Sequence, residues 1–393
     1  MANLYTSTAS SSLGGTVGSA GLVQKAYDRL VEFALRTQPL IRSVADKRPA
    51  NLTNPGSTVT FQLYNDLNRV TGTLTETVDP DAVGLSTPKS VPVTLNEYGN
   101  AVLVTRALNL FSLADVDPAI ANIVAYNMAD SIDEVAQSAL DGGTNVIYGN
   151  DATSTATVDG TDTITAANIR KAVAKLRANN AVARKGSLYW CGIHPEVAHD
   201  LRASTGAGNW RDPHVYSEPS NIWAGEIGSF EGAYFIESPR LKVAGDGATI
   251  GTAKSISALT VDGVSTATAT ATSHGFSSGD FVTIAGVTVG GTDISGSYQI
   301  TVTGTSTFTF KTTASGTVVL STATATKKTK VYRTFIAGQQ ALAEAVAEEP
   351  HVVIGPVVDK LMRHRPIGWY GVLGFSRFRE EALYRLETSS SIA

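Results

Sequence analysis

The chain of 393 residues has one cysteine, Cys191, so it cannot build an internal disulfide framework, and that usage fits a reducing compartment. No window supplies the ~20 uninterrupted apolar residues of a membrane-spanning helix. Net charge is only −4, so the bulk balance demands neither nucleic acid nor an acidic membrane as partner. The opening MANLYTSTASSSLGGTVGSAG lacks the basic and apolar regions of a secretory signal and reads as a flexible arm. Catalytic signatures are missing too: there is no P-loop, no His-Glu-x-x-His and no Gly-x-Ser-x-Gly. GSFEG and GFSRF miss the last spacing, and STGAGNWRD has Gly-x-Gly without a third glycine.

What is present is ordinary for a globular protein, at 42% hydrophobic and 17% charged residues, and the length suggests two or three folding units. After the arm, LVQKAYDRLVEFALRT has the spacing of an amphipathic helix ending before Pro39. GSTVTFQLYN and KSVPVTLNEYGNAVLVTR then alternate as half-buried strands, with Val59, Phe61 and Leu63 answering Val91, Val93 and Leu95. The long connection between them, NDLNRVTGTLTETVDPDAVGLSTPK, reads as almost free of large apolar side chains. A hydrophilic segment of that length cannot fold on its own burial and must lie on something else, such as another subunit.

DPAIANIVAYNMADSIDEVAQSALDGGTN predicts a long helix, with Asp117 as N-cap, Pro118 in the first turn and Gly142–Gly143 as the stop. Ile120, Ile123, Val124, Met128, Ile132, Val135, Ala139 and Leu140 form its expected apolar side. A second helix, ITAANIRKAVAKLRANN, is capped by Thr165 and turns Arg170, Lys171, Lys175 and Arg177 outward. SLYWCGI reads as a buried strand, HPEVAHDLRAS as a short helix and EIGSFEGAYFIES as a hairpin. Helices and strands alternate irregularly, which gives an α+β class.

Between Arg240 and Arg333 no arginine occurs, and FVTIAGV, SYQITVT, TFTFKTT and TVVLST alternate with glycine turns. That pattern predicts a small all-β barrel or sandwich inserted in a host loop. Cys191, His194 and His199 lack metal-ligand spacing, and the expectation is a buried thiol and helix-start histidines. DVDP and VDPD sit in turn contexts. Arg363, His364 and Arg365 make a local basic cluster, either a solvated or interface patch or a contact with packaged nucleic acid.

Seven stretches in order resemble the major capsid proteins of tailed bacteriophages, in the family named for the coat protein of phage N4. They are GSTVTF, LNEYGNAVLVTR, DSIDEVAQSALDGGTNVIY, ITAANIRKAVAKLRANNA, IHPEVAHDLR, NIWAGEIGSFEGAYFIES and GWYGVLGFSRFREEALYRLET. The resemblance implies an HK97-like capsid fold: an N-terminal arm over 1–50, an E-loop with flanking strands over 51–105, and a peripheral domain with a long spine helix over 106–189 and 361–393. An axial domain over 190–249 and 330–360 and an inserted β domain over 250–329 complete it. The insert resembles FCCH-type β modules, with His274, Gly279 and Asp280 expected to define its fold.

The function implied is self-assembly through hexamers and pentamers into an icosahedral shell around double-stranded DNA, inside a virion assembled in host cytoplasm. The inserted domain is expected to decorate the outside. Arg69, Thr73, Leu74, Glu76 and Asp79 on the E-loop and Arg36 in the arm are the expected inter-subunit contacts, and Arg363 and Arg365 the DNA-facing cations. Portal, scaffolding or decoration proteins are further partners implied; no enzyme activity, cofactor, metal or membrane is expected. Lys89, at the hairpin base, is not expected to cross-link neighbours. Competing readings are an encapsulin-like compartment shell and a tail or surface adhesin that binds host glycans through the β module.

Overall fold

The computed structural model describes residues 39–49, 58–106, 116–203, 226–356, 361 and 363–392, apart from 65, 68, 75, 78, 80 and 81. The helix expected before Pro39, and Arg36 with it, lie outside the described residues. In chain order the elements begin with β1 (Ala45–Pro49), β2 (Thr58–Leu63), β3 (Lys89–Thr94), β4 (Asn96–Thr105), α1 (Val116–Asp141), β5 (Val146–Tyr148), α2 (Ala166–Ala178) and β6 (Tyr189–Ile193). Next come α3 (Pro195–Ala203), β7 (Glu226–Phe230), β8 (Ala233–Glu237) and β9 (Val243–Ala244). Eight strands follow in the insert: β10 (Thr249–Ser255), β11 (Ala258–Val261), β12 (Thr266–Thr270), β13 (Phe281–Val289), β14 (Thr292–Asp293), β15 (Gly296–Gly304), β16 (Thr307–Lys311) and β17 (Val318–Lys328). The chain ends with β18 (Val331–Ala337), β19 (Leu342–Ile354), β20 (His364–Arg377) and β21 (Leu383–Thr388).

Two compact units divide the chain. The smaller gathers Gly99–Met128 with Pro350–Tyr370. Within it Gly99 and Gly368 let strands approach closely: a Cβ on Gly99 would lie 2.8 Å from the Trp369 carbonyl, and one on Gly368 2.7 Å from that of Asn100. The Trp369 indole donates to Asn127 Oδ1 at 2.9 Å, which satisfies the polar end of a buried ring.

The larger unit holds Thr37–Tyr98, Ala129–Glu349 and Gly371–Ala393. Its centre is a mixed sheet ordered β5-β21-β18-β6-β8-β7, with β9 beside β18. Alternation along the strands serves two faces. Cys191, Ile193, Phe235, Ile336 and Leu386 pack on Ile169, Val173 and Leu176 of α2 and Val197 and Leu201 of α3. On the other face Trp190 and Phe335 meet Ala136 and Leu140 of α1, together with Ile41 and Val44. This sheet takes strands from both sides of the domain boundaries drawn at 189/190 and 360/361. β21 forms ladders with both β18 and β5, so those boundaries do not follow the hydrogen bonding.

Helix α1 starts at Val116, placing Asp117 and Pro118 inside the first turn, and its 26 residues span ~39 Å. Its buried side differs from the one expected. Ile123 is exposed, whereas Asp133 and Gln137 are buried. The Asp133 carboxylate accepts the backbone N–H groups of Leu40 (3.2 Å) and Arg42 (2.9 Å), and Gln137 donates to the Arg240 carbonyl at 3.2 Å. Both polar side chains are therefore satisfied, and they fasten incoming chain to the helix. Burial lifts the Asp133 carboxyl above its ordinary range despite those N–H groups. At the other end Arg377 donates to the Ala139 carbonyl at 2.8 Å and caps the helix; its guanidinium is what Gly142 leaves room for.

The insert is a barrel. Its strands run β10-β17-β13-β15-β16-β12-β11, with β14 beside β13. Lys254 and Ser255 pair with β17, and the Ile256 N–H donates to Ala323 at 2.9 Å. The next N–H, of Ser257, donates to Thr270 at 2.8 Å, and β11 continues along β12. One extended segment thus joins the two ends of the sheet. Inside lie Ala267, Ala269, Val282, Ile284, Ile300, Phe308 and Phe310, a core made entirely of the insert's own residues. His274 Nδ1 accepts the Phe276 N–H at 3.0 Å, which leaves Nε2 to donate to the Gly304 carbonyl at 3.2 Å. Asp280 accepts the Ser277 N–H and pairs with Lys327, each at 2.8 Å. These are internal fastenings of the barrel.

Thr249 lies directly opposite Lys328, and the Thr329 N–H donates to the Ala248 carbonyl at 2.9 Å. The two feet of the barrel are therefore neighbours. Beside them sits a partly buried charge cluster. Asp141, at the end of α1, is bridged by Lys242 (2.6 Å), Arg333 and Arg385 (3.4 Å). Arg333 also reaches Asp246 at 2.7 Å, and Arg385 reaches Glu387 at 2.8 Å. Three carboxylates balance three cations, so none of these charges stands alone. Burial alone would push the Asp141 carboxyl up, but Lys242 and Arg333 outweigh it and hold the group below its ordinary range.

Two outcomes are expected. Replacing 249–328 by Gly-Gly closes the two feet with a short turn and leaves the host folded, read as an unchanged near-ultraviolet circular dichroism signal per host tryptophan and a cooperative melt; a chain without a cooperative melt would contradict independent folding. Asp141→Asn costs about 3 kcal/mol at pH 7 in denaturant titration, since it breaks a buried pair. A depressed folded pKa gives stability present above the unfolded value near ~3.9 and lost as pH falls through the folded value. The gap between variant and parent therefore narrows below pH ~4; a constant gap would contradict this.

Candidate assembly surfaces

β2 and β3 form the expected ladder, in an antiparallel register in which Val59 faces Val93, Phe61 faces Val91 and Leu63 faces Lys89 rather than Leu95. Its inner side is riveted to the larger unit. Val59, Val93 and Leu95 pack with Ala345 and Val372, while Val91, Phe61 and Leu63 pack with Ala343 and Phe378. The Phe61 and Phe378 rings meet edge to face at 6.1 Å. Gly374 admits the close approach: a Cβ there would fall 2.1 Å from the Thr94 carbonyl. The hairpin base is fixed by packing on one face.

Beyond Leu63 that packing stops. Arg69, Thr73, Leu74, Glu76 and Asp79 are all exposed and lie on one excursion. Contrary to the expectation of a segment almost free of large apolar side chains, the excursion carries several. Tyr64, Leu67, Val70, Leu74, Val83 and Leu85 are each between 57 and 84% exposed. Scattered exposed leucines are normal, but here six large apolar side chains stand in solvent on one short excursion. Only their exposure, which a string of letters does not carry, distinguishes them from core residues.

Arg363 and Arg365 belong to the smaller unit and are exposed at the start of β20, where the Arg363 carbonyl accepts the Arg106 N–H at 2.8 Å. That unit also exposes Leu103, Ile123, Val353, Ile354 and Leu361. No catalytic grouping forms around the residues considered for chemistry. Cys191 is fully buried, and burial pushes its thiol far above the ordinary range, away from nucleophilic use. His194 Nδ1 accepts the Glu196 N–H at 3.3 Å, and burial holds its imidazole below the ordinary range. His199 lies 3.3 Å from Asp200. Among the described residues, no group of three or more His, Cys, Asp or Glu could hold a metal ion, and no helix is long and apolar enough to cross a membrane.

A sequence model described as phage capsid protein matches residues 42–384. No curated protein matches the chain. Among solved structures, the capsid of cyanophage P-SCSP1u is similar at a TM-score of 0.59 and 12% identity, covering 96% of each chain. The capsid of Ralstonia phage GP4 gives 0.58 and 14%, covering 96% of this chain and 97% of that one. The acid-stable capsid of Helicobacter pylori bacteriophage KHP30 gives 0.55 and 12%, covering 96% and 98%. At such identities the likeness establishes the fold.

Exposure of the excursion leads to a direct check. In the free subunit trypsin cuts after Arg69, read by mass spectrometry as products ending at Arg69 and beginning at Val70; an Arg69 bond that resists while the folded body stays intact would contradict the exposed placement.

Proposed function

The chain belongs to the phage capsid protein family, and on that premise we propose that it is a self-assembling tile of the N4 coat-like branch, joined through hexamers and pentamers into the icosahedral shell around double-stranded DNA. The layout is HK97-like. The hairpin over 51–105 is the E-loop, α1 the spine, and the smaller unit the tip of the peripheral domain. The seven-stranded sheet is the axial body, with β5, α2 and β21 added to the segments first assigned to it. The barrel over 249–328 is an FCCH-like decoration on the outer face, and Arg363 and Arg365 meet packaged DNA without sequence preference.

The observation that carries this reading is the riveted base and uncovered apex of one hairpin. The base is held by alternating apolar residues, and the apex presents six large apolar side chains to solvent. A second copy supplies the missing cover. Contacts in which one copy's hairpin lies on the next are heterologous and close into rings when the rotation allows. Each contact is modest, but every tile engages several neighbours, so the shell is held by avidity. The role is structural, without catalysis: the functional output is geometry.

Shortening the hairpin by replacing 65–88 with Asn-Gly yields a folded, soluble subunit that forms no closed particles by negative-stain microscopy, while the chain lacking 249–328 still forms them. Closed particles of ordinary size from the shortened-hairpin chain would overturn the reading.

A further inference from the structure

The outward face of α2 is unusual in composition. The helix has no acidic residue, and its exposed side carries Arg170, Lys171, Lys175 and Arg177. At 100° per residue, Arg170 and Arg177 fall along one border of that face and Lys171 and Lys175 along the other. Ala167, Ala174 and Ala178 run between them, all exposed. The result is a shallow apolar floor one methyl deep, bordered on both sides by cations. Two of these cations have surface contacts within the chain. Arg170 lies 3.4 Å from Glu231 with half its side chain in solvent, and Lys175 sits over the Tyr384 ring at 5.6 Å. Exposed pairs of this kind are worth little and exchange readily.

The uncovered hairpin has the complementary chemistry. Between Tyr64 and Lys89 it carries Asp66, Glu76, Asp79 and Asp81 against a single cation, Arg69. Leu74, Val83 and Leu85 stand exposed among them. We propose that the basic face of α2 is the docking surface for the acidic hairpin of a second copy of this chain, with hairpin apolar side chains on the alanine floor and its carboxylates against the two cationic borders. The inference rests on the assembly reading above and names the surface that receives the hairpin. A nucleic acid would use the cations but gain nothing from the alanine floor, whereas the hairpin uses both. Opposite charge across the contact fixes its register and speeds encounter.

Charge exchange in the full chain tests this. One variant carries Lys171→Glu with Lys175→Glu, a second carries Glu76→Lys with Asp79→Lys, and a third combines all four; a milder helix variant, Lys171→Ala with Lys175→Ala, guards against misfolding, and circular dichroism checks each. Placing like charges across the contact lowers particle yield about tenfold in each of the first two. The alanine variant lowers it less, and the four-substitution chain returns to within about twofold of the parent. Normal assembly by the helix variant overturns the inference, whether or not its particles retain less DNA; lowered DNA retention with intact assembly would assign the face to nucleic acid. Lost assembly without recovery in the combined chain also overturns it. The chain with 65–88 shortened separates the two levels. If it assembles, the assembly reading fails; if it does not while the helix variant does, only the docking surface is wrong.

Discussion

A hairpin fixed at one end and bare at the other constrains everything this subunit can do. Val59, Val91 and Val93 bury the inner side of β2 and β3 against Ala343, Ala345 and Phe378, so the base cannot swing freely. Past Leu63 the same chain offers Tyr64, Val70 and Leu74 to water. Burying each such side chain is worth roughly 1.5–3 kcal/mol, a gain that the packing among the described residues leaves uncollected. In the proposed assembly a neighbouring copy, always present at matching concentration, is the partner that collects it.

The body that carries the hairpin is stiffened by buried polar fastenings. Asp133 ties residues 40–42 to α1, Arg377 caps the last turn of that helix, and the cluster around Asp141 locks α1, β18 and β21 at one point. That point lies beside the feet of the barrel, through Asp246 and Arg333. Phe281 fills the space left by Gly245, and the Ser297 hydroxyl donates to the Gly245 carbonyl at 2.6 Å, so the barrel is seated on the host as well as tethered to it. An added domain with adjacent feet and its own core can be carried without disturbing the ladders beneath it.

Much of this was legible in the letters, because it is local. The two alternating strands β2 and β3, the Thr165 cap of α2, the buried run Tyr189–Ile193 and the β insert all follow from period, caps and turn residues. What could not be read is long-range. Asp133 and Gln137 look like solvent-side residues of a helix until the backbone groups they satisfy come from residues 42 and 240. The apolar residues of the hairpin look incidental until their exposure is known. The sheet itself is also long-range, since β21, at the far end of the chain, lies between β5 and β18. The five hairpin residues expected at subunit contacts are exposed, as are Arg363 and Arg365 of the smaller unit.

Electron cryomicroscopy of assembled particles, with solvent accessibility counted residue by residue, tests the central claim most directly. The account predicts that Val70, Leu74 and Val83 become buried against a neighbouring copy in every ring. A particle in which those side chains remain in solvent, or fold back on their own subunit, would contradict it.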